Sequence, residues 1–326
     1  GWDGVDANYY QNDLGYYNTR NDQRFSGRVK YITFEPTSLY EKIEAYLWMS
    51  KRSRFYPKRI KSTGWRIGTE LVSPKLNEFR FSFDYTSEYN NFEEPREEDI
   101  FIKEPAEYEV EFSYKSDSRK KIQYGFGIEH SYAVDQYFNE DKSSIGLDLG
   151  LGLRLSDRFN LDYQIKKGTT IDDVGYVFNE GDNVYFGKRD VKVLENNLNL
   201  NYNFNSYKSL VLKFRQFWSS ANYNDSFFLL NPKGERILSD KSIIDDDPNK
   251  SFNLWNLDLS YNWEFLPGSK LTLLYRNNIF NENNLSGISY YSSTKQLFQK
   301  PIDHQVSLRI NYFLDYNILK RKKSRI

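Results

Sequence analysis

The residue types that most often carry acid–base or metal chemistry are scarce in this chain. It has 326 residues, two histidines and no cysteine. His130 shares the alternation parity of Ile128. His304 shares that of Val306, so both histidines lie with the apolar side chains of their segments. A hydrolase needs a base aimed at a nucleophile or a water molecule, and neither histidine faces the polar side. We therefore predict no catalytic, cofactor-binding or metal-binding residues. A hydrolase that uses interior carboxylates is the weaker alternative.

Charged residues occupy the positions between the apolar ones in many segments. The chain carries 45 Lys+Arg and 45 Asp+Glu, so no net charge attracts nucleic acid. Two functions fit such a charged face: a selective pore lining, or an interior that salt bridges or a plug fill. The mixed signs weigh against strong ion selectivity and favour the filled interior. The predicted lining residues are Arg66, Glu70, Arg80, Asp84, Glu109, Asp148, Arg154, Lys213, Arg215, Asp258, Arg276 and Arg309.

Three loop features could bind a ligand or a partner. Two are acidic runs, which could attract a cation but are predicted to be solvated, because neither has the spacing of a calcium motif. The third is Phe227–Leu238, where two apolar arms flank Asn-Pro-Lys-Gly and predict a hairpin. Its arm could be an exposed docking surface or could pack over the barrel mouth. The acidic runs are Glu93, Glu94, Glu97, Glu98 and Asp99, and Asp245, Asp246 and Asp247; the docking residues are Phe227, Phe228, Leu229 and Leu230.

Strict alternation predicts the elements that position these residues. Between Ser143 and Asp157, apolar residues stand at every second position from Ile145 to Leu155. This is the period of a β-strand with one apolar and one polar face. Similar segments recur along the chain and predict about thirteen strands of about ten residues, the length that a tilted strand needs to cross a bilayer. We find no segment with a convincing helical period.

The predicted connections are alternately short and long. Residues 266–269, 156–158 and 73–76 are short turns, whereas 169–193 and 219–251 are long gaps. Outer-membrane barrels have short periplasmic turns and long extracellular loops, whereas both ends of a soluble sandwich face the same solvent. Aromatics make up 17% of the chain although mean hydropathy is -0.76, which suits strands that meet water on one face only. The predicted aromatic girdle is Trp65, Trp218, Trp255, Trp263 and Tyr312.

The predicted fold class is therefore all-β: a transmembrane antiparallel β-barrel of the outer-membrane type, with about 14 strands or more. Bacterial single-chain barrels have even strand numbers, so a strand is expected to be weak or missing at the N-terminus. The apolar face then looks into lipid. We predict an extracellular segment or upstream strand remnant at 1–24, the barrel at 25–316, and a basic periplasmic tail at 317–326. We expect the chain to be the C-terminal portion of something longer.

Two short segments carry a family resemblance. Gln11–Gly27 (QNDLGYYNTRNDQRFSG) and Asn311–Lys322 (NYFLDYNILKRK) resemble an uncharacterised family of Bacteroidota outer-membrane proteins. In that family the barrel-like region follows a periplasmic domain similar to carbohydrate-binding family 9. The resemblance implies an upstream domain and a compartment, and it implies no activity.

These observations predict a membrane anchor or structural subunit of a larger outer-membrane assembly in a Gram-negative bacterium. The alternative is a porin-like transport channel or conduit for a small polar solute or glycan. The expected partners are membrane lipids, lipopolysaccharide and outer-membrane or periplasmic proteins, with no nucleic acid and no cofactor.

Overall fold

A computed structural model describes residues 1–6, 9, 21–33, 35–97, 99–135, 140–181, 183–244 and 246–314. The predicted basic tail (317–326) and most of the N-terminal family segment lie outside these ranges. The described strands are β1 (Trp2–Val5), β2 (Asp22–Ile32), β3 (Lys42–Ser53), β4 (Ile60–Val72), β5 (Glu78–Thr86), β6 (Tyr89–Asn91), β7 (Ile102–Glu104), β8 (Glu107–Lys115), β9 (Ile122–Asp135), β10 (Glu140–Ser156), β11 (Phe159–Glu180), β12 (Asn183–Asn205), β13 (Lys208–Leu230), β14 (Arg236–Ser239), β15 (Lys250–Leu266), β16 (Ser269–Asn283) and β17 (Asp303–Asn311). A helix, α1 (Tyr290–Leu297), and a 3-10 turn (Lys241–Ile243) complete the described elements.

The strands form one large antiparallel sheet, which confirms the all-β prediction at that level. The sheet has 15 strands, and its main path follows chain order from β1 to β17, omitting β6 and β7, which pair with each other. β14 pairs with β13 beside this path. Closure of the predicted barrel is not shown, because within the described ranges β1 and β17 are edge strands that do not pair with each other. β1 covers β2 only from Asp22 to Phe25.

The two faces of the sheet differ sharply. We call the face that carries Leu147, Leu149 and Leu151 the apolar face, and the opposite one the polar face. The end of the sheet at the turn 157–158 is the inner end, and the opposite end is the outer end. Apolar-face side chains on β11, β12, β13 and β15 are mostly half-buried. On strands at both sides of these they are exposed, including Val29, Ile67, Phe81, Val110, Phe126, Leu149, Leu273 and Leu308. The buried apolar core lies instead beyond the outer end, where Ile102, Val184, Phe186, Phe228 and Leu230 cluster.

The strands are steeply tilted relative to the sheet's inner edge. A row of directly opposed residues starts at Phe79 and reaches Trp255 through the partners Tyr114, Phe126, Leu149, Ile165, Asn196 and Gln216. Phe79 lies beside the inner end of β5, whereas Trp255 lies about ten residues from the inner end of β15. With about 3.3 Å per residue and about 4.8 Å between strands over about seven steps, this drift gives a tilt of about 45°. Outer-membrane barrels tilt their strands by about 35–45°.

Several predicted loops are structured. The predicted long gap at 169–193 is wrong, because β11 and β12 continue through it as a paired hairpin as far as Glu180 opposite Asn183. The alternation disappears there because both faces of the hairpin meet protein or water beyond the apolar belt. The gap after β16 contains α1, which the sequence analysis missed. None of the described helices is long and apolar enough to span a membrane.

Candidate functional site on the polar face

The predicted lining residues share the polar face because β-pairing sets them opposite one another. Arg66 pairs with Asp84, and Asp84 with Glu109; Lys213 pairs with Asp258, and Asp258 with Arg276. Directly opposed residues in an antiparallel sheet project to the same side. These charges form two separate rows that run across neighbouring strands, one on β4, β5 and β8 and the other on β13, β15 and β16. Arg154 and Arg309 lie opposite the uncharged Asn160 and Thr272.

Most of these charges are engaged in ion pairs. Arg276 Nη2 lies 2.7 Å from Asp258 Oδ2, and Arg215 Nε lies 2.7 Å from the Glu195 carboxylate. Arg66 donates to Asp84. Looser pairs join Arg80 to Glu70 at 3.5 Å and Lys166 to Asp148 at 3.7 Å. The polar face is therefore largely self-neutralised.

A groove on the polar face separates two of these charged rows. Its volume is about 660 Å³. It is deep because the strands that floor it carry Gly127, Gly146, Gly150 and Gly168 in place of larger side chains. A Cβ at Gly150 would have no heavy atom within 4 Å, whereas one at Gly146 would collide with the Glu129 side chain. The charged residues of its lining that belong to the polar face are Arg80, Glu111, Lys115, Glu129, Asp148, Lys166 and Glu195. Such a surface suits a polar, hydrogen-bonding solute.

The β5–β8 connection, residues 87–106, crosses between distant strands at the outer end. Lys61 Nζ lies 3.0 Å from Glu93 Oε1, and Lys103 Nζ lies 2.9 Å from Glu235 Oε1 near the β13–β14 turn. The backbone amide of Lys103 also donates to Gly234 at 2.8 Å. Residues on β4 and beside β14 are thus tied together by one segment, which we call the crossing segment.

Several residues of the acidic run in this segment form ion pairs, although the side chains of Glu93 and Asp99 remain exposed. Besides Glu93, Asp99 lies 2.5 Å from Arg54, and Glu94 lies 3.7 Å from Arg189. Glu97 accepts a hydrogen bond from Asn179. Within the described ranges, no group of three or more histidines or carboxylates can hold a metal ion. Glu98 and Asp245 lie outside those ranges, while Asp246 and Asp247 are exposed.

Burial perturbs two titratable groups of the crossing segment. It raises the pKa of the Glu104 carboxyl, against the nearby positive charges of Lys142 and Arg236, which lower it. Burial likewise raises the pKa of the Tyr89 hydroxyl. At the β13–β14 turn, hydrogen bonds from Asn231 and Lys103 lower the pKa of Glu235. The buried Glu104 carboxyl therefore ionises less readily than an ordinary exposed carboxyl.

The prediction that the first arm of the 227–238 hairpin is an exposed docking surface is wrong. β13 and β14 do form the expected hairpin, with Phe228 opposite Leu238. However, Phe228 is 1% exposed and Phe227 3% exposed, and Leu230 is buried as well. Phe228 and Leu230 pack in one cluster with Ile102 of the crossing segment and with β12. Leu229 is half-buried. The packing alternative therefore describes these residues, and the exposed arm of the hairpin is β14.

Aromatic rows border the apolar face. At the outer end, the ring centroids of Trp65 and Tyr85 lie 5.8 Å apart, and those of Tyr85 and Tyr108 lie 5.2 Å apart. At the inner end, Trp263 contacts Phe265, and Phe265 stacks on Tyr312. Trp255 packs on Phe214, with centroids 4.4 Å apart.

The prediction that Trp218 belongs to the aromatic girdle is wrong. It is 7% exposed, and its ring meets that of Tyr290 from α1 edge-on at 5.9 Å. The helix covers it, so Trp218 has little surface to offer to a membrane interface. No sequence signal in β13 indicates this cover, because it comes from a segment about 70 residues away in the chain.

The two histidines lie on the apolar face, as their parity predicts. His130 Nδ1 lies 2.9 Å from the Ser144 carbonyl oxygen. His304 Nδ1 lies 2.8 Å from the Tyr275 hydroxyl. Each is held on a different part of the sheet, and neither faces the groove.

Comparison with known proteins adds a family and a distant structural likeness. Among solved structures, the chain is similar to one described as the TodX monoaromatic hydrocarbon channel deltaS2 mutant, with 10% identity, 90% of this chain and 79% of that chain covered, and a TM-score of 0.30. A likeness this low carries no argument about function. No curated protein matches. The family described as "Domain of unknown function (DUF5916)" matches residues 2–323, and the chain therefore belongs to that family.

Proposed function

We propose that the sheet is the wall of a β-barrel in the outer membrane of a Gram-negative bacterium, where it anchors a larger assembly or serves as a structural subunit of it. The continuous exposed apolar face carries this proposal. Soluble monomers rarely expose contiguous apolar patches of more than a few hundred Å². Here such a patch extends over most of the sheet, while the charges lie paired on the opposite face.

The height of the apolar belt supports the same proposal. On β10 the alternating apolar residues run from Ile145 to Leu155. Ten residues span about 33 Å along a strand, which is about 23 Å of height at a tilt of about 45°. The apolar band of outer-membrane barrels is about 25 Å tall and is flanked by aromatic girdles. The aromatic rows at both ends of the apolar face fit that arrangement.

The proposed anchoring role concerns a domain that precedes the barrel. We propose that the chain comes from a Bacteroidota protein in which a periplasmic domain similar to carbohydrate-binding family 9 precedes the barrel. The family resemblance of the two terminal segments supports this assignment. The proposed partners are membrane lipids, lipopolysaccharide and outer-membrane or periplasmic proteins, and the role includes no catalytic step.

Heat-modifiability of the detergent-extracted chain tests the barrel. A closed barrel resists SDS until it is heated, so boiled and unboiled samples should migrate differently. We expect the chain in the membrane fraction, with a shift. Recovery in the soluble fraction without a shift would refute the proposal and favour a water-soluble sheet. Crosslinking in native membranes then tests the subunit role, which predicts a stoichiometric protein partner.

A second candidate function, a conduit for a small polar solute, is favoured by the groove. Glycines leave it unfilled although ion pairs occupy the face around it. Gly150→Trp places an indole where a side chain meets no neighbour. Gly27→Trp is the matched control, because Gly27 also has free space but lies on the apolar face.

Single-channel recording in planar bilayers compares the conductance of the two variants with that of the wild type. If solute passes along the groove, we expect Gly150→Trp to lower conductance by roughly half or more, because conduction depends on the width and polarity of the lining. Gly27→Trp should conduct like the wild type. Absence of conductance in a correctly inserted wild-type chain would leave the anchoring role and exclude the conduit.

A further inference from the structure

Two lysines interrupt the apolar face near the outer edge of the apolar belt, where Lys167 lies opposite Leu147 of β10. On β11 the apolar series Phe159, Leu161, Tyr163 and Ile165 ends at Lys167. Lys167 lies opposite Leu194 of β12, and Lys192 follows two residues further toward the outer end. Residues in this diagonal relation have side chains on the same face, with Cβ atoms about 7–8 Å apart. Both lysines are exposed, and neither has an ion-pair partner among the described residues.

The helix α1 borders this pair and brings further cations and aromatics. It is bound to the apolar face through polar contacts: Asn196 Nδ2 donates to the Tyr290 hydroxyl at 3.3 Å, and Gln216 Nε2 donates to Thr294 Oγ1 at 3.0 Å. Asn196 lies two residues from Leu194, which is opposite Lys167. The free side of α1 and its C-terminal turn expose Tyr291 (78%), Phe298 (49%), Lys295 and Lys300.

From this arrangement we infer that Lys167 and Lys192, with the exposed side of α1, bind the phosphate groups of a phosphorylated glycolipid in the outer leaflet. This inference rests on the proposed membrane location. A ligand that meets both surfaces at once needs an apolar body for the leucine face and an anionic head for the lysines. Lysine stems lie along apolar surface while the ammonium reaches toward head groups, and exposed Tyr and Phe suit the same interface.

A charged protein partner fits these surfaces less well. The lysines lie directly above side chains that are exposed along the belt, so a protein that covered the lysines would compete with acyl chains for the adjoining surface. An anionic lipid contacts the lysines with its head group and the adjoining apolar side chains with its acyl chains at the same time. On the polar face, by contrast, Arg66, Arg215 and Arg276 are each paired with a carboxylate of the same face.

Native mass spectrometry of the detergent-solubilised chain, titrated with bis-phosphorylated lipid A, tests the inference. Each lysine near a membrane phosphate contributes about a fivefold gain in binding. We therefore expect Lys167→Gln with Lys192→Gln to weaken lipid A binding about 30-fold. Lys208→Gln is the matched control, because Lys208 lies at the inner end of the same face over the Trp263 ring, and it should bind like the wild type.

Two further arms identify the ligand and separate the possible failures. Dephosphorylated lipid A should bind weakly, and inorganic phosphate should not compete. Wild-type affinity in the double variant would overturn the inference, as would equal competition by inorganic phosphate, which would indicate a free-anion site. If the chain is membrane-inserted and heat-modifiable in these cases, the proposed function stands. A soluble chain with no gel shift would overturn both.

Discussion

The substitution Leu149→Arg tests whether the apolar face meets lipid or water. Leu149 is 55% exposed on the apolar face of β10. It lies about seven residues from the inner end at Ser156, which is about 16 Å of height at a tilt of about 45°. In a belt about 25 Å tall this places it near the middle of the bilayer.

The expected cost differs strongly between the two environments. An arginine on the lipid face of a barrel costs about 2–4 kcal/mol at the bilayer midplane and about 0–1 kcal/mol near the interfaces. Substitution of an exposed residue in water usually changes stability by less than about 0.5 kcal/mol. Leu149→Arg should therefore lower the folded-to-unfolded ratio about 30- to 900-fold in lipid and hardly at all in water. Leu155→Arg is the matched control, because Leu155 is 62% exposed and lies at the inner edge of the same face.

Urea unfolding of the chain in large lipid vesicles, followed by tryptophan fluorescence, measures both variants. We expect a large loss of stability for Leu149→Arg and a loss of at most about 1 kcal/mol for Leu155→Arg. Equal small losses at both positions would refute the lipid-facing assignment, since depth would then have no effect. Equal large losses would indicate that the face packs against protein instead.

Two further predictions concern the layer beyond the outer end. Because burial raises the pKa of Glu104, the folded state binds its proton more tightly than the unfolded state. The crossing segment should therefore be most stable at acidic pH and lose stability as pH rises through this raised pKa. Amide exchange should show this slope in the wild type but not in Glu104→Gln. Phe228→Ala should cost about 3–5 kcal/mol in this layer, because Phe228 is fully buried. It should open the layer to limited proteolysis, whereas truncation of the exposed Leu238 should not.

The features that the sequence predicted best are those that depend on local periodicity. Side-chain parity placed Arg66 and Asp84 on one face and both histidines on the other, because a strand alternates faces whatever it packs against. The same parity placed the leucines of β10 on an exposed face. Tight turns such as 206–207 and 267–268 were also predictable, since they interrupt the alternation abruptly.

The features that the sequence did not predict depend on contacts between distant segments. The helix α1 lacks a broad apolar stripe. It is held by polar contacts with Asn196, Gln216 and Asn253, together with the buried Leu297 and the contact of Tyr290 with Trp218. The alternation at Phe228 is the same as in an exposed arm, and Phe228 is buried by Ile102 of the crossing segment, more than 100 residues earlier, and by Val184 and Phe186 of β12. Beyond the belt, the polarity of a face no longer indicates which solvent it meets.

If the sheet lies in a membrane, the backbone groups of its two edge strands, β1 and β17, need hydrogen-bond partners. Each step of the main path reverses strand direction, which leaves β1 and β17 antiparallel and so correctly oriented to pair. On the side that faces β1, the β2 residues after Ser26 have no strand partner within the described ranges, and neither has the free edge of β17, whose side chains are all exposed. An unpaired backbone group costs several kcal/mol in hydrocarbon, so a bilayer cannot tolerate both edges as they stand. Amide exchange in vesicles therefore tests closure: in lipid, both edges should be protected, whereas rapid exchange at both edges of a folded chain would indicate a sheet that stays in water.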